Sequence, residues 1–216
     1  MAGKPFFKAG GVWYETDYAY YKAGGTWRKA SVFEKQNGVW VDVSPPPQII
    51  TESWNSIVGT NTTDTGSYNE NYGWRTDTSR VYQGDWDGNG RHHGIWIFPS
   101  EMYNALNNAE KIDEMKVTVT RPSSGGYSTT VFTTRVHYHT MRPAGEPNID
   151  KSSSNYDRVT ISHGETVTFN LTPEQIGLFL NNGAKGVAVY TASTDNTDYG
   201  YLEPEATIEA TYTPGS

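Results

Sequence analysis

Phe7-Lys8-Ala9-Gly10-Gly11-Val12-Trp13 is written again, with changes, as Tyr21-Lys22-Ala23-Gly24-Gly25-Thr26-Trp27 and as Glu34-Lys35-Gln36-Asn37-Gly38-Val39-Trp40. Each unit is two short extended runs joined by Gly-Gly or Asn-Gly, dipeptides that accept the positive φ a type I′ turn needs at both central positions. Each unit therefore predicts a two-residue β-hairpin. In that register Lys8 faces Trp13, Lys22 faces Trp27 and Lys35 faces Trp40. A lysine stem laid along an indole face contributes about 0.5–1 kcal/mol. One hairpin is marginal alone in water, so three in series predict a stacked or assembled array, with these six residues as its assembly and anchor positions.

The chain has 216 residues, enough for one ordinary domain and a small one. Charged residues are 19% and aromatics 13%, with 15 Tyr and 7 Trp, which suits a turn-rich β protein rather than a helical enzyme. Such rings serve sheet cores, and they also serve surfaces that meet sugar or protein. The net charge of −7 is uneven: residues 1–47 hold 6 basic and 4 acidic residues, the remainder 11 and 20. An acidic body argues against nucleic acid as partner. Without cysteine there is no disulfide or thiolate chemistry. Met1 is followed by a turn-rich β pattern rather than a signal peptide, and no apolar run approaches the roughly 18 residues of a membrane span.

Pro45-Pro46-Pro47 favours a stiff polyproline II spacer, which sets residues 1–43 as a three-hairpin anchor, 44–48 as a linker and 49–216 as a second domain. In that domain strands are expected from Ile49 to Val58, at Arg80–Gly84, His92–Phe98, Ile112–Thr120, Thr129–Thr140, Val159–Ile161, Thr166–Leu171, Gly186–Tyr190 and Ala206–Tyr212, with residues 59–79 as loops. A short helix follows Pro99, with Ser100 as N-cap and Met102, Leu106 and Ala109 at helical spacing. A second starts at Thr172-Pro173-Glu174-Gln175, an N-cap, a proline at N1 and a glutamine at N3, and stops at Asn181-Asn182-Gly183. The fold class is all-β: a hairpin array followed by a jelly-roll-like β-sandwich with two short helices.

Asp85-Trp86-Asp87-Gly88-Asn89-Gly90 matches the first half of an EF-hand calcium loop, with Asp85, Asp87 and Asn89 as ligand candidates. The second half fails, since position twelve is Trp96; the plainer reading is a polar hairpin turn. His137 and His139 flank Tyr138 on a strand, so both imidazoles face one side and could share a metal; the plainer reading is a polar sheet face. Carboxylates at Glu203 and Glu205, and at Asp195 and Asp198, leave glycoside hydrolysis open, but no catalytic motif accompanies them and no cofactor is implied. The better candidates are the aromatic and polar loops. Tyr72, Trp74, Trp86, Arg91, Tyr199 and Tyr201 could stack on sugar faces and bond hydroxyls, against the alternative of loop packing over the sandwich ends.

The Lys-x-Gly-Gly-x-Trp units at 8–13 and 22–27 resemble repeats of bacteriophage tail and tail-fibre proteins, with Asn37-Gly38 departing from the pattern in the third. Tyr82-Gln83-Gly84, His93–Pro99, Met115–Arg121, Leu171–Leu180 and Asp198–Thr213 resemble sandwich domains of minor tail proteins from phages of actinobacteria. The resemblance implies a virion protein, non-enzymatic, made in the host cytoplasm without a signal peptide. It implies other virion proteins as partners of the repeats, a homotrimer, and host cell-surface glycan as ligand of the sandwich. Alternatives are a capsid decoration or head-fibre protein, a carbohydrate-binding module from outside phages, and a glycan-degrading enzyme.

Overall fold

A computed structural model describes residues 6–9, 12–15, 19–23, 26–30, 33–36, 39–42, 48–59, 64–77 and 79–215. The chain divides into two compact units, Met1–Gln48 and Ile49–Gly215. In the first, β1 (Phe6–Ala9) pairs antiparallel with β2 (Val12–Glu15), β3 (Ala19–Ala23) with β4 (Thr26–Ala30), and β5 (Phe33–Gln36) with β6 (Val39–Asp42). Each pair is its own two-stranded sheet. The registers set Lys8 opposite Trp13, Lys22 opposite Trp27 and Lys35 opposite Trp40, as the repeats predict. The Gly-Gly and Asn-Gly turns and the triple proline lie outside the described residues, as do the side chains of Lys8, Trp13, Lys22, Trp27 and Trp40.

The second unit runs β7 (Ile50–Asn55), β8 (Gly66–Asn69), β9 (Gly73–Trp74), β10 (Val81–Gln83), β11 (His92–Ile95), α1 (Ser100–Asn107), β12 (Ala109–Thr120), β13 (Thr129–His137), β14 (Asp157–Ser162), β15 (Thr166–Asn170), α2 (Pro173–Asn182), β16 (Gly186–Val189), β17 (Gly200–Leu202) and β18 (Ala206–Pro214). One sheet has the order β15-β12-β18-β7, a second β14-β13-β16-β11-β8-β9, and β10 pairs with β17. Take β7, β11, β12, β13, β14, β15, β16 and β18 as eight successive strands. The first sheet then reads 1-8-3-6 and the second 2-7-4-5, the double Greek key of a jelly roll. The β8–β9 hairpin widens the second sheet beyond β11.

Strict alternation builds the core. On β12, Met115, Val117 and Val119 are buried while Lys116, Thr118 and Thr120 face out. They meet Phe132, Val136, Val187 and Val189 of the other sheet, and Met102 of α1 and Phe179 of α2 complete the cluster. α2 starts where its cap chemistry dictates: Thr172 Oγ1 accepts from the Gln175 N–H at 3.2 Å and Gln175 Oε1 from the Thr172 N–H at 3.0 Å. It stops at Gly183, with φ 68°.

Several expectations are corrected. Ser100 is the first helical residue rather than the N-cap; Pro99 holds that place without a side-chain bond, and Ala109 belongs to β12. The strand at His92 stops at Ile95, because the Ile97 N–H turns to Thr65 Oγ1 at 2.9 Å. Residues 59–79 contain β8 and β9 rather than loops alone, and Tyr201 lies inside β17.

The outer faces of the two sheets differ. That of the four-stranded sheet is bare, with paired hydroxyls Thr118–Thr168 (2.7 Å), Thr120–Thr166 (2.8 Å) and Thr51–Thr211 (2.9 Å). That of the six-stranded sheet is crossed by residues 138–156, whose Ile149 packs with Ile95, Ile97, Ala188 and Tyr190 in a second apolar cluster. Ile50 faces Tyr212 at one end of the sandwich and Asn55 faces Thr207 at the other. Both helices lie at the Ile50 end, since α1 leads into the start of β12 and α2 leaves the end of β15.

Candidate functional site: an aromatic ledge

At the Asn55 end, the ribbon of β10 and β17 sets Tyr82 opposite Tyr201. Gln83, fully buried, staples this ribbon down. Its Oε1 accepts from the Thr133 N–H at 2.7 Å, and its Nε2 donates to Val131 O at 3.0 Å and Asp198 O at 3.1 Å. The next residue, Gly84, has φ +81°, and a Cβ there would stand 2.5 Å from Asp198 O, so only glycine fits. The chain then reverses at Asp87 and Gly88, both at positive φ (53° and 74°), with the Asn89 N–H donating to Trp86 O at 3.1 Å. That is a type I′ turn, and it presents Trp86 at the surface.

Three rings form the ledge: Trp86 (40% exposed), Tyr127 (41% exposed) and half-buried Tyr199. Trp86 lies 6.2 Å from Tyr127 and 5.4 Å from Tyr199, with ring planes tilted by 54° and 52°. Beneath them Tyr82 packs at 5.1 Å from Tyr201 and 5.4 Å from His92. The guanidinium groups of Arg75 and Arg80 cover Tyr82 and Tyr201 at 4.2 and 4.3 Å. Tyr127 is carried by the 121–128 loop, which Arg121 ties from inside. That guanidinium, 1% exposed, donates to the backbone oxygens of Tyr127 and Ile161 and to Thr130 Oγ1.

Polar groups flank the rings. The Asp87 N–H donates to Asn196 Oδ1 at 3.0 Å and the Asn196 amide returns a bond to Asp87 Oδ1 at 2.9 Å, locking the turn to the 196–199 segment. Asp85, 6% exposed, keeps a buried Oδ1 that no donor reaches. Burial pushes the Tyr199 hydroxyl up, helped by the Tyr82 hydroxyl, so it stays a protonated donor. Burial also pushes the Asp77 carboxyl up, but bonds from Ser79 and Tyr82 outweigh that and hold it below its usual range. His92 is neutral: burial pulls it down, its Nδ1–H donates to Gly84 O at 3.1 Å, and its Nε2 accepts from Asn69 and Arg75.

Of the six expected contact residues, the fold gathers Trp86, Tyr199 and Tyr201. Tyr201 is a floor residue, 6% exposed, with its hydroxyl on Ser124 O at 2.7 Å. The other three lie elsewhere. Tyr72 is 75% exposed on the β8–β9 turn. The Trp74 indole donates to Pro143 O at 2.8 Å and holds the 138–156 segment. Arg91 pairs with Glu70 at 3.0 Å and donates to Ala192 O. Sequence reasoning brackets the Asp85–Gly90 turn with Tyr82, Trp86 and Arg91 but misses Tyr127; the Gly125-Gly126 turn just ahead of Tyr127 was the available signal, and Gly125 at φ +97° packs against the Tyr201 hydroxyl.

Of the metal candidates, Asp87, Asn89, His137 and His139 are bonded elsewhere. Asp87 Oδ1 is held by Asn196, the Asn89 amide donates to Trp86 O at 2.7 Å, and the positive φ of Asp87 gives a hairpin turn rather than a calcium loop. His137 and His139 do stack, 6.3 Å apart, but each lone pair accepts a backbone N–H, from His139 and Asn148 respectively. Among the described residues no group of three or more His, Cys, Asp or Glu side chains could hold a metal ion. Asp195 caps the Asn196–Asp198 turn through Thr197, and Asp198 lies 3.7 Å from Arg158. Glu203 is partly buried, with its backbone N–H on Thr120 O, and Glu205 is exposed. The ledge can stack on a flat or puckered ring and offer hydrogen bonds beside it. No helix among the described residues is long and apolar enough to cross a membrane. Comparison with known proteins finds no family model that matches the chain and no curated protein that matches it.

Proposed function

We propose that this chain is a virion structural protein of minor-tail or tail-fibre type. Its N-terminal repeats attach it to other virion proteins, and its jelly roll offers the Trp86–Tyr127–Tyr199 ledge to host-surface glycan. The observation that carries the binding role is the ledge itself. Two rings about two-fifths exposed and a third half-buried stand at the Asn55 end of the sandwich, opposite the end where the chain enters at Ile50. The virion reading rests on the repeats and their resemblance. The role is adhesive rather than catalytic.

The test is a glycan array probed with the full chain and with Trp86→Ala and Tyr127→Ala. Binding that falls at least about tenfold in both variants is the expected result, since stacking rings dominate such contacts. Binding indifferent to both variants would remove the ledge from the site. Light scattering of the full chain checks assembly: a trimer fits the virion reading. A monomer that binds glycan would favour the carbohydrate-binding module.

A further inference from the structure

Residues 138–156 lie over the outer face of the six-stranded sheet; neutral His137 and His139 hold them there by hydrogen bonds, and buried His93 lies against them. His137 donates from Nε2 to Trp96 O at 2.9 Å, which leaves Nδ1 to accept the His139 N–H at 3.2 Å. His139 in turn accepts the Asn148 N–H on Nε2 at 2.6 Å. His93, with no exposed surface, lies between two carboxylates: Nε2 is 3.1 Å from Glu70 Oε1 and Nδ1 is 3.4 Å from Glu146 Oε1. Both carboxylates already have cations, Arg91 on Glu70 at 3.0 Å and Lys151 on Glu146 at 2.6 Å. The cluster is therefore neutral only while His93 is neutral.

An imidazolium has two donors and no acceptor. A proton on His137 or His139 abolishes the bond each makes to a strap N–H. A proton on His93, itself fully buried, adds a fifth, unbalanced charge to the cluster. We propose that residues 138–156 form an acid-released strap, closed while His93, His137 and His139 are neutral and opened by proton uptake at His139 and His93. Opening uncovers Trp74, Tyr190, Ile95 and Ile97, a face of mixed aromatic and aliphatic character. The other titratable and charged groups facing these imidazoles are Tyr68 and Tyr190, whose rings pack on His93, and His92 beside it. On the strap Tyr138 faces Asp150 and Arg142 is turned to the Asp64 and Thr65 carbonyls, and Arg135 of β13 lies over the Tyr156 ring. Burial is the first cause that holds all three imidazoles below the ordinary histidine value. Closure is thus favoured in full above that value and lost as the pH falls below it. His139, half-exposed, is the imidazole of the three that solvent reaches most readily.

Amide hydrogen exchange of the full chain, corrected for intrinsic pH dependence and followed by peptide mass spectrometry, tests this at about pH 7.5 and about pH 5. In the wild type, peptides covering 138–156 are expected to exchange about tenfold faster at the lower pH while β12 and β18 stay unchanged. The double variant His93→Gln, His139→Gln should lose most of that difference. Strap exchange that ignores pH in the wild type, or keeps its full pH dependence in the double variant, would overturn the proposal. Lys151→Met is the independent check. It frees Glu146 to neutralise a His93 imidazolium, so release should move to lower pH; release at the same or a higher pH sinks the proposal.

Discussion

The two sheets of the sandwich share one core and end in opposite ways. The outer face of β15-β12-β18-β7 is finished by its own side chains, because Thr, Asn, Lys and Glu at alternate positions pair with one another across strands. The outer face of β14-β13-β16-β11 carries Ile95, Ala188, Tyr190 and His93, which would be poor surface, and a distant segment covers them. A face that satisfies itself needs no further chain; a face that does not depends on a cover held by a few polar contacts. Mutational sensitivity and pH sensitivity should therefore divide along the same line.

Truncation at the shared core should be the most damaging. Phe132→Ala removes a fully buried ring and is expected to lower unfolding free energy by about 3–5 kcal/mol in urea titration. A loss below about 1 kcal/mol would mean the two sheets are not one cooperative core. Acid comes next. His137 is fully buried and held down to about 4, chiefly by burial, against an unfolded value near 6.5. Its folded pKa is depressed, so its contribution is whole above about pH 6.5 and is lost as pH falls, reaching about 3 kcal/mol at pH 4. Denaturation of wild type and His137→Gln at both pH values isolates it, and equal pH dependence in the two proteins would refute it. Ile149→Ala, under the cover, should cost about 2 kcal/mol and raise amide exchange in 138–156 far more than in β12. A cost matching that of Phe132→Ala would make cover and core one unit. On the bare face Thr168→Val should change stability by less than about 0.5 kcal/mol in the same titration.

The sequence was legible where the determining chemistry is local. Thr172, Pro173, Gln175 and Gly183 specify α2 within a dozen residues, and the alternation of Met115, Val117 and Val119 names the core side of β12. β8 was not legible: Gly66-Ser67-Tyr68-Asn69 has little strand propensity, and it is secured by partners such as the Tyr82 N–H on Ser67 Oγ at 2.7 Å. In the ledge, Trp86 could be read because an Asp-Gly turn presents it. For Tyr127 the Gly125-Gly126 turn marks only a loop, and its place beside Trp86 depends on Arg121 bonding backbone up to 40 residues away. Trp74 was misread for the opposite reason: an aromatic in a polar stretch looked like a contact residue, and its indole N–H belongs to a carbonyl 69 residues on.

β7 has a mechanical meaning. The polypeptide enters the second unit at its Ile50 end, and the ledge stands at the far end of the sandwich. Under the proposed function, tension between an anchored N-terminal segment and a bound glycan would run along β7. It would pull that strand lengthwise against β18, so that the whole ladder from Ile50–Tyr212 to Asn55–Thr207 shares the load at once. A strand loaded in this shear direction resists until many hydrogen bonds fail together, whereas one peeled from its end gives way bond by bond. The edge position of β7 would thus suit the proposed tether, loaded in shear rather than by peeling.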